Sequence, residues 1–206
     1  PYRRQRQMCI RDSNYPVQLA AQERGSTACD LLYAATNEEY TYAPENEPHI
    51  ALNFSHRLAK VILKFVDLEK NPLEVSDVRI EGMQTEASFN VQTDVLTVDE
   101  SSVATITPYH NATTGFYEAI ILPSALKDSY KVSFVLDDRE KEWIFTNLDI
   151  ALPQFHKGYS YTFALYIDDS GFVEMGRLEN VDGGNSSAPW ENGSSEDGTC
   201  LLYTSD

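Results

Sequence analysis

The chain has 206 residues, with 32 acidic and 16 basic side chains and a formal net charge of −16 at pH 7. Such an acidic surface argues against nucleic acids and anionic membrane faces as partners. No apolar run approaches the roughly 20 residues that a membrane-spanning helix needs. The 12 Tyr and 9 Phe, together with many Val, Ile and Thr, predict a globular protein rich in β-strands.

The two ends of the chain resemble translated sequencing adapter more than native protein. Residues 1–13 contain RRQRQMCIRDS, which one frame of a common transposase adapter encodes, and residues 200–206, CLLYTSD, are encoded by its reverse complement. We therefore expect an internal fragment of a longer reading frame, whose ends at 1–13 and 199–206 make no specific contacts. Removing their four arginines and two aspartates changes the net charge from −16 to −18. A basic N-terminal arm is the alternative interpretation of the first segment.

Residues 14–36 carry one clear strand signal, DLLYA at 30–34, preceded by Cys29. The other two cysteines belong to the adapter segments, so Cys29 has no partner for an intrachain disulfide. We expect it to be a small buried apolar residue. Residues 37–48, NEEYTYAPENEP, are acidic, contain two prolines and lack a sustained period. This composition predicts a linker between domains or a crossing loop.

The longest apolar stretch is residues 48–66, PHIALNFSHRLAKVILKFV, and its alternation changes phase once. Apolar residues fall on even positions up to Phe54 and on odd positions from Ala59. Both halves can face one core only if the backbone takes up an extra residue between them, which predicts two strands separated by a bulge or turn at residues 55–58. A continuous helix is the competing interpretation, disfavoured by β-branched and aromatic residues and by Pro48.

Residues 49–178 are predicted to form one domain of short strands. Residues 116–122 are apolar on both faces, which is typical of a central strand, and 130–136 with 142–146 predict a hairpin. Further strand signals lie at 75–83, 86–91, 95–98, 103–107, 159–167 and 172–178. Without an amphipathic helix, they predict an all-β antiparallel sandwich of the transthyretin-like, Greek-key type. We expect its core to bury Phe54, Leu63, Phe134, Trp143, Phe163 and Leu165.

Four stretches of the chain, taken together and in order, resemble fimbrillin-like proteins, which are surface and pilus proteins of Gram-negative gut and oral anaerobes. The stretches are DLLYA at 30–34, LNFSHRLAKVILKF at 52–65 against the pattern F-x-H-x-x-A-K-V, GYSYTFALYID at 158–168, and APWENG at 188–193. The resemblance implies structural roles for the motif residues, which are Phe54, His56, Ala59, Lys60 and Trp190.

The resemblance also implies an organisation and a function. Residues 14–36 would be the severed tail of a preceding β domain. The whole protein would be a structural subunit of a pilus or a related surface lipoprotein, located at the outer membrane or fimbrium, and its partners would be other pilus subunits or itself through strand exchange. The alternative is a carbohydrate-binding or adhesive β-sandwich module of the cell surface, which the aromatic content supports weakly.

Catalytic motifs are absent from the sequence, which contains no G-x-S-x-G, P-loop, H-E-x-x-H or C-x-x-C pattern. We therefore predict no enzyme activity and no cofactor or metal site. At a bulge, His56 could satisfy backbone groups that a broken ladder leaves unpaired. Lys60 could pair with a carboxylate or project into water, and we expect the second. We expect the acidic turns at 137–142 and 168–171 to be solvated rather than to bind calcium. Residues 179–199 predict an exposed polar tail, ordered only if Trp190 docks.

Overall fold

The computed structural model describes residues 14–22, 29–35, 52–125, 129–136, 141–145, 154–168, 173–175, 186–189 and 199–202. These residues form sixteen β-strands, and they contain no helix that is long and apolar enough to cross a membrane. The strands are β1 Asn14–Gln18, β2 Leu31–Ala34, β3 Ser55–His56, β4 Ala59–Val66, β5 Val75–Gln84, β6 Glu86–Asn90, β7 Val95–Val98, β8 Val103–Ile106, β9 Tyr109–Asn111, β10 Phe116–Ile121, β11 Lys131–Leu136, β12 Lys141–Phe145, β13 Tyr159–Ile167, β14 Val173–Met175, β15 Ser186–Pro189 and β16 Thr199–Leu202.

The strands form four sheets. A six-stranded sheet has the order β14-β13-β4-β10-β9, with β15 also pairing with β13, and a four-stranded sheet has the order β12-β11-β5-β8. Two three-stranded sheets have the orders β1-β6-β7 and β16-β2-β3. The predicted hairpin is confirmed as β11 and β12, whose register pairs Phe134 with Trp143.

One long bent hairpin connects two of these sheets. Its arms are β5 with β6 and β7 with β8, and both arms bend at the same level. There the amide of Thr85 donates to the carbonyl of Ser102 at 3.0 Å, and the amide of Asp99 donates to the carbonyl of Glu86 at 3.0 Å. The hairpin therefore contributes β5 and β8 to the four-stranded sheet and β6 and β7 to a smaller one. Its turn covers residues 91–94, with Asp94 in the left-handed region at φ 54°.

The main core lies between the six-stranded and the four-stranded sheet, as expected for a β-sandwich. Alternate residues of β4, β10 and β13 contribute from one sheet, and alternate residues of β5 and β11 from the other. The main cluster includes Val61, Leu63, Phe65, Ile80, Ile106, Ala119, Ile121, Val132, Phe134, Tyr161, Phe163 and Leu165. The prediction of an all-β sandwich is confirmed.

A second apolar cluster lies on the opposite face of the six-stranded sheet. Ala119 and Ile121 belong to the main core, whereas Ile120 and Leu122 belong to the second cluster, so β10 is buried on both faces. The remaining buried members of the second cluster are Val17, Leu19, Leu31, Tyr33, Leu58, Ala87, Phe89 and Val91. The segment predicted to be the tail of a preceding domain thus shares a cluster with strands that follow the predicted linker. The division into domains itself stays a prediction.

Two strand pairs differ from the expected antiparallel arrangement. β4 and β13 are parallel neighbours in the six-stranded sheet, and β16 is parallel to β2. For β4 and β13 the reason is topological. β10 comes between β4 and β13 in the chain and pairs antiparallel with one edge of β4. The chain later returns to this sheet and places β13 along the other edge of β4, in the same direction as β4.

The interruption predicted within residues 48–66 is present, but the part of this stretch before the interruption differs from the prediction. β3 contains only Ser55 and His56, and β4 begins at Ala59 after a bend. Residues 52–54 are not in a strand, and residues 48–51 lie outside the described residues. The chain leaves β3 so soon because β3 pairs with β2, whereas β4 belongs to another sheet.

The predicted core is confirmed at four of its six positions. Leu63, Phe134, Phe163 and Leu165 are at most 2% exposed and belong to the main cluster. Phe54 is half-buried and lies outside both clusters, and it is not part of a strand. The side chain of Trp143 lies outside the described residues.

Strands also occur near both ends, where none was expected. β1 pairs with β6 over five residues, and β15 pairs with β13, although its polar sequence predicted a tail without regular structure. An edge of β13 is available to β15, and backbone pairing requires no apolar side chains. The pairing of β16 with β2 contradicts the expectation that residues 199–202 make no specific contacts. Their adapter origin stays a hypothesis.

Candidate functional site

The motif residue His56 forms a buried pair with Asp30, the first residue of DLLYA. The distance from His56 Nδ1 to Asp30 Oδ2 is 2.7 Å, and the two side chains are 7% and 2% exposed. The second carboxylate oxygen of Asp30 is buried and has no hydrogen-bond partner among the described residues. Sequence reasoning assigned His56 a structural role but did not identify this carboxylate partner. The pair fastens β3 to the start of β2.

The next residue, Arg57, connects the same point to a different sheet. Its Nε and Nη2 donate to the two carboxylate oxygens of Asp94 at 2.5 and 3.0 Å. Its guanidinium carbon lies 4.9 Å from the centre of the Tyr33 ring, within the range of cation–π attraction. The Asp94 carboxylate also lies 3.8 Å from the ammonium of Lys157. We call Asp30, Tyr33, His56, Arg57 and Asp94 the junction.

The motif residues that follow enter the six-stranded sheet. Ala59 is fully buried opposite Ile121 of β10, where a larger side chain would meet the main core. Lys60 Nζ lies 2.7 Å from Glu118 Oε2, with the two side chains 18% and 11% exposed. The other oxygen of Glu118 accepts a hydrogen bond from Asn111 Nδ2 at 3.0 Å. The expectation that Lys60 projects into water is wrong, because β10 places a carboxylate within its reach.

Gln22 is a buried polar residue that sequence reasoning missed. Its Nε2 donates to the carbonyl of Ile120 at 2.6 Å, and its Oε1 accepts from the amide of Ile120 at 2.7 Å. The side-chain amide thus makes the two hydrogen bonds with Ile120 that the backbone of a neighbouring strand would make. β9 does not reach Ile120, because its pairing with β10 ends at Glu118. No periodic pattern marks such a residue.

Cys29 is half-buried against the second cluster, close to the expected role of a buried apolar residue. Its Sγ lies 3.7 Å from the carbonyl oxygen of Ala21. Burial raises the pKa of the Cys29 thiol, which disfavours the reactive thiolate. The remaining motif residue, Trp190, lies outside the described residues.

The edge of β13 that faces away from β4 is covered by two short strands. β14 pairs with Leu165 to Ile167, and β15 pairs with Tyr159 to Thr162. Among the described residues, the partners of the nine-residue strand β13 on this side are therefore strands of three and four residues. Short partners contribute few backbone hydrogen bonds each, so this edge is a candidate for exchange with another strand.

The described part of the chain offers little support for metal binding, for a catalytic carboxylate or for a carbohydrate-binding aromatic surface. No group of three or more His, Cys, Asp or Glu side chains there could hold a metal ion. Hydrogen bonds from Asn71 lower the pKa of Asp67, and hydrogen bonds from Ser101 lower the pKa of Asp99, but both carboxylates serve turns. The acidic turns considered for calcium lie largely outside the described residues. Tyr159 is the one aromatic side chain among the exposed large apolar residues described, so no set of coplanar exposed aromatics is present there.

The structure is an all-β sandwich in which His56, Arg57 and Lys60 each contact a carboxylate of another strand or turn of the same chain. The chain belongs to the fimbrillin-like family, whose model matches residues 5–190. The match begins inside the segment predicted to be adapter. No curated protein is significantly similar in sequence.

Solved structures with the same fold come from Bacteroides. A protein from Bacteroides uniformis, proposed to act in cell adhesion, has a TM-score of 0.71 and 22% identity, and the similarity covers 93% of this chain and 70% of that one. A Bacteroides ovatus protein of the same description has a TM-score of 0.53 and 18% identity over 70% of this chain and 49% of that one. At these identities the similarity supports the fold.

Proposed function

We propose that this chain is part of a structural cell-surface protein, a fimbrillin-like pilus subunit or related surface lipoprotein, that assembles by strand donation. The observation that carries the proposal is the family match over residues 5–190. The proposed adhesion role of the two Bacteroides neighbours is consistent with it. On this proposal the protein is exported and located at the outer membrane or fimbrium, and its partners are further copies of itself or other pilus subunits.

The edge of β13 supports the strand-donation step. A donated strand from a neighbouring subunit would replace β15 and take over its backbone pairing with Tyr159 to Thr162. Because β15 has four residues, its release would break few backbone hydrogen bonds. If each protomer donates to the next, the contact is heterologous and open-ended, so a filament results.

His56 and Lys60 of the motif, with Arg57 between them, support a structural rather than a catalytic role. The three side chains contact carboxylates of other strands or turns, namely Asp30, Glu118 and Asp94. Each pair joins segments that are distant in the sequence, so these contacts are explained without a substrate. Recognition would then depend on strand edges and surfaces.

The proposal is tested on the full-length gene product. The resemblance to fimbrillin-like proteins implies that proteolysis removes an N-terminal strand before assembly. An arginine- or lysine-specific protease is therefore used to remove the N-terminal segment, and detergent-resistant oligomers are measured by electrophoresis and light scattering. We expect a ladder of oligomers after cleavage and none with the same protease inactivated. A strictly monomeric product after verified cleavage contradicts assembly by strand donation.

A further inference from the structure

The parallel pair of β4 and β13 forms the longest uninterrupted register in the described sheets. Seven residue pairs run from Lys60 with Ser160 to Val66 with Tyr166. Parallel strands form evenly spaced hydrogen bonds along their length. The pair is internal to its sheet, because β10 flanks β4 and the two short strands flank β13.

The direction of the strands decides how this ladder responds to tension. The chain enters β4 at Ala59 and leaves β13 at Ile167. Because the strands are parallel, these two points lie at opposite ends of the ladder. A force that pulls them apart slides one strand along the other and loads all hydrogen bonds of the ladder together. A force applied to both strands at the same end would instead break the bonds one after another.

The surroundings of the ladder protect it from water. On the inner face, Leu63 and Phe65 of β4 and Phe163 and Leu165 of β13 are at most 5% exposed and belong to the main core. On the outer face, Ala164 is fully buried, and the other outward side chains of the paired residues are half-buried. Water competes poorly for hydrogen bonds beside the buried inner face, and sliding would also disrupt the packing of the main core.

The start of β4, where a pulling force would reach this strand, is held by further contacts. The amide of Gly158 donates to the carbonyl of Leu58 at 2.8 Å, joining the starts of the two strands. Just upstream, His56 pairs with Asp30 and Arg57 with Asp94. Tension from the N-terminal side therefore meets the junction before it reaches the ladder.

We infer that the β4–β13 ladder is a mechanical clamp that resists tension along the chain. This function goes beyond assembly, because it depends on the direction of two strands within one molecule and not on any partner. When load arrives from the C-terminal side, the short strands β16, β15 and β14 separate before the clamp carries it. A surface protein that is held at one side and pulled at the other needs such a device.

Single-molecule force spectroscopy on the 206-residue chain tests the clamp. The three native cysteines are replaced by serine, and handles are attached at two pairs of new cysteines. Asn53→Cys with Asp168→Cys pulls the ladder in shear, whereas Asn53→Cys with Lys157→Cys pulls from the ends where both strands start. The two variants share one handle and one ladder, so they differ in the pulling direction.

We expect a several-fold higher unfolding force for the first pair at the same loading rate, because forced unfolding depends on the barrier along the pulled direction. Urea titration of both variants checks that their equilibrium stabilities agree. Equal forces in the two directions, or a higher force for the second pair, would overturn the clamp. Since the measurement uses single molecules, its failure is separate from a failure to polymerise.

Discussion

Breaking the buried pair of His56 and Asp30 should destabilise the protein far more than breaking a partly exposed pair. The side chains are 7% and 2% exposed, and their atoms lie 2.7 Å apart. Removing one partner of such a pair leaves a buried polar group without compensation, which costs about 3 to 5 kcal/mol. We therefore expect losses of that size for His56→Ala and for Asp30→Ala measured singly.

The double variant shows how much of each loss of stability comes from the interaction between His56 and Asp30. With both partners removed, no uncompensated group remains, so the double variant should lose less than the sum of the single losses. The expected coupling is about 1 to 3 kcal/mol. The free energies of unfolding come from urea titrations followed by circular dichroism, with the slope of each transition checked for constancy.

Arg57 and Asp94 provide the matched control in the same junction. Their side chains are 15% and 35% exposed, so solvent screens the pair and its coupling should stay below about 1 kcal/mol. Asp94→Asn suits this cycle because asparagine tolerates the left-handed backbone at this position. Additive losses at His56 and Asp30, or a larger coupling at the control pair, would refute the prediction that the buried pair contributes more to stability than the partly exposed one.

Three further outcomes are expected. Phe163→Ala should cost about 3 to 5 kcal/mol in urea titration, because the side chain is 2% exposed in the main core; a loss under about 1 kcal/mol would mean that the site is not a packed core. Gln22→Leu should cost about 1 to 3 kcal/mol for each backbone group of Ile120 that it leaves unpaired, with faster amide exchange at Ile120; unchanged exchange there would contradict it. Asn71→Ala should raise the pKa of Asp67 towards its ordinary value in an NMR titration. The lowered pKa stabilises the fold above the unfolded-state pKa, and this contribution is lost as the pH falls through the folded-state pKa.

Much of the fold follows from alternation along single strands. β7 and β13 begin and end where their sequences predict, and the two-sided apolar pattern of β10 matches its central position. These segments are predictable because their side chains meet a core on a face fixed by the period of two. The family motif was likewise visible as a string of residues.

Pairing between distant segments was not predictable from local patterns. The parallel neighbours β4 and β13 lie about a hundred residues apart, and no alternation records which strand fills a sheet edge. β15 and β1 were missed because their polar or mixed sequences pair through the backbone. The partners of His56, Lys60 and Gln22 were missed for a related reason, since each contact depends on tertiary geometry.

The exchange of β15 between molecules tests the proposed assembly most directly. In the register of β13 and β15, Ser160 lies opposite Ala188. Full-length proteins lacking native cysteines, one with Ser160→Cys and one with Ala188→Cys, are cleaved, mixed and oxidised. Strand donation predicts a disulfide-linked heterodimer that appears only after cleavage, and no longer covalent chain, because each molecule carries one cysteine. If the double variant closes its own disulfide while the mixture stays monomeric, β15 remains in its own molecule and the proposed assembly is wrong.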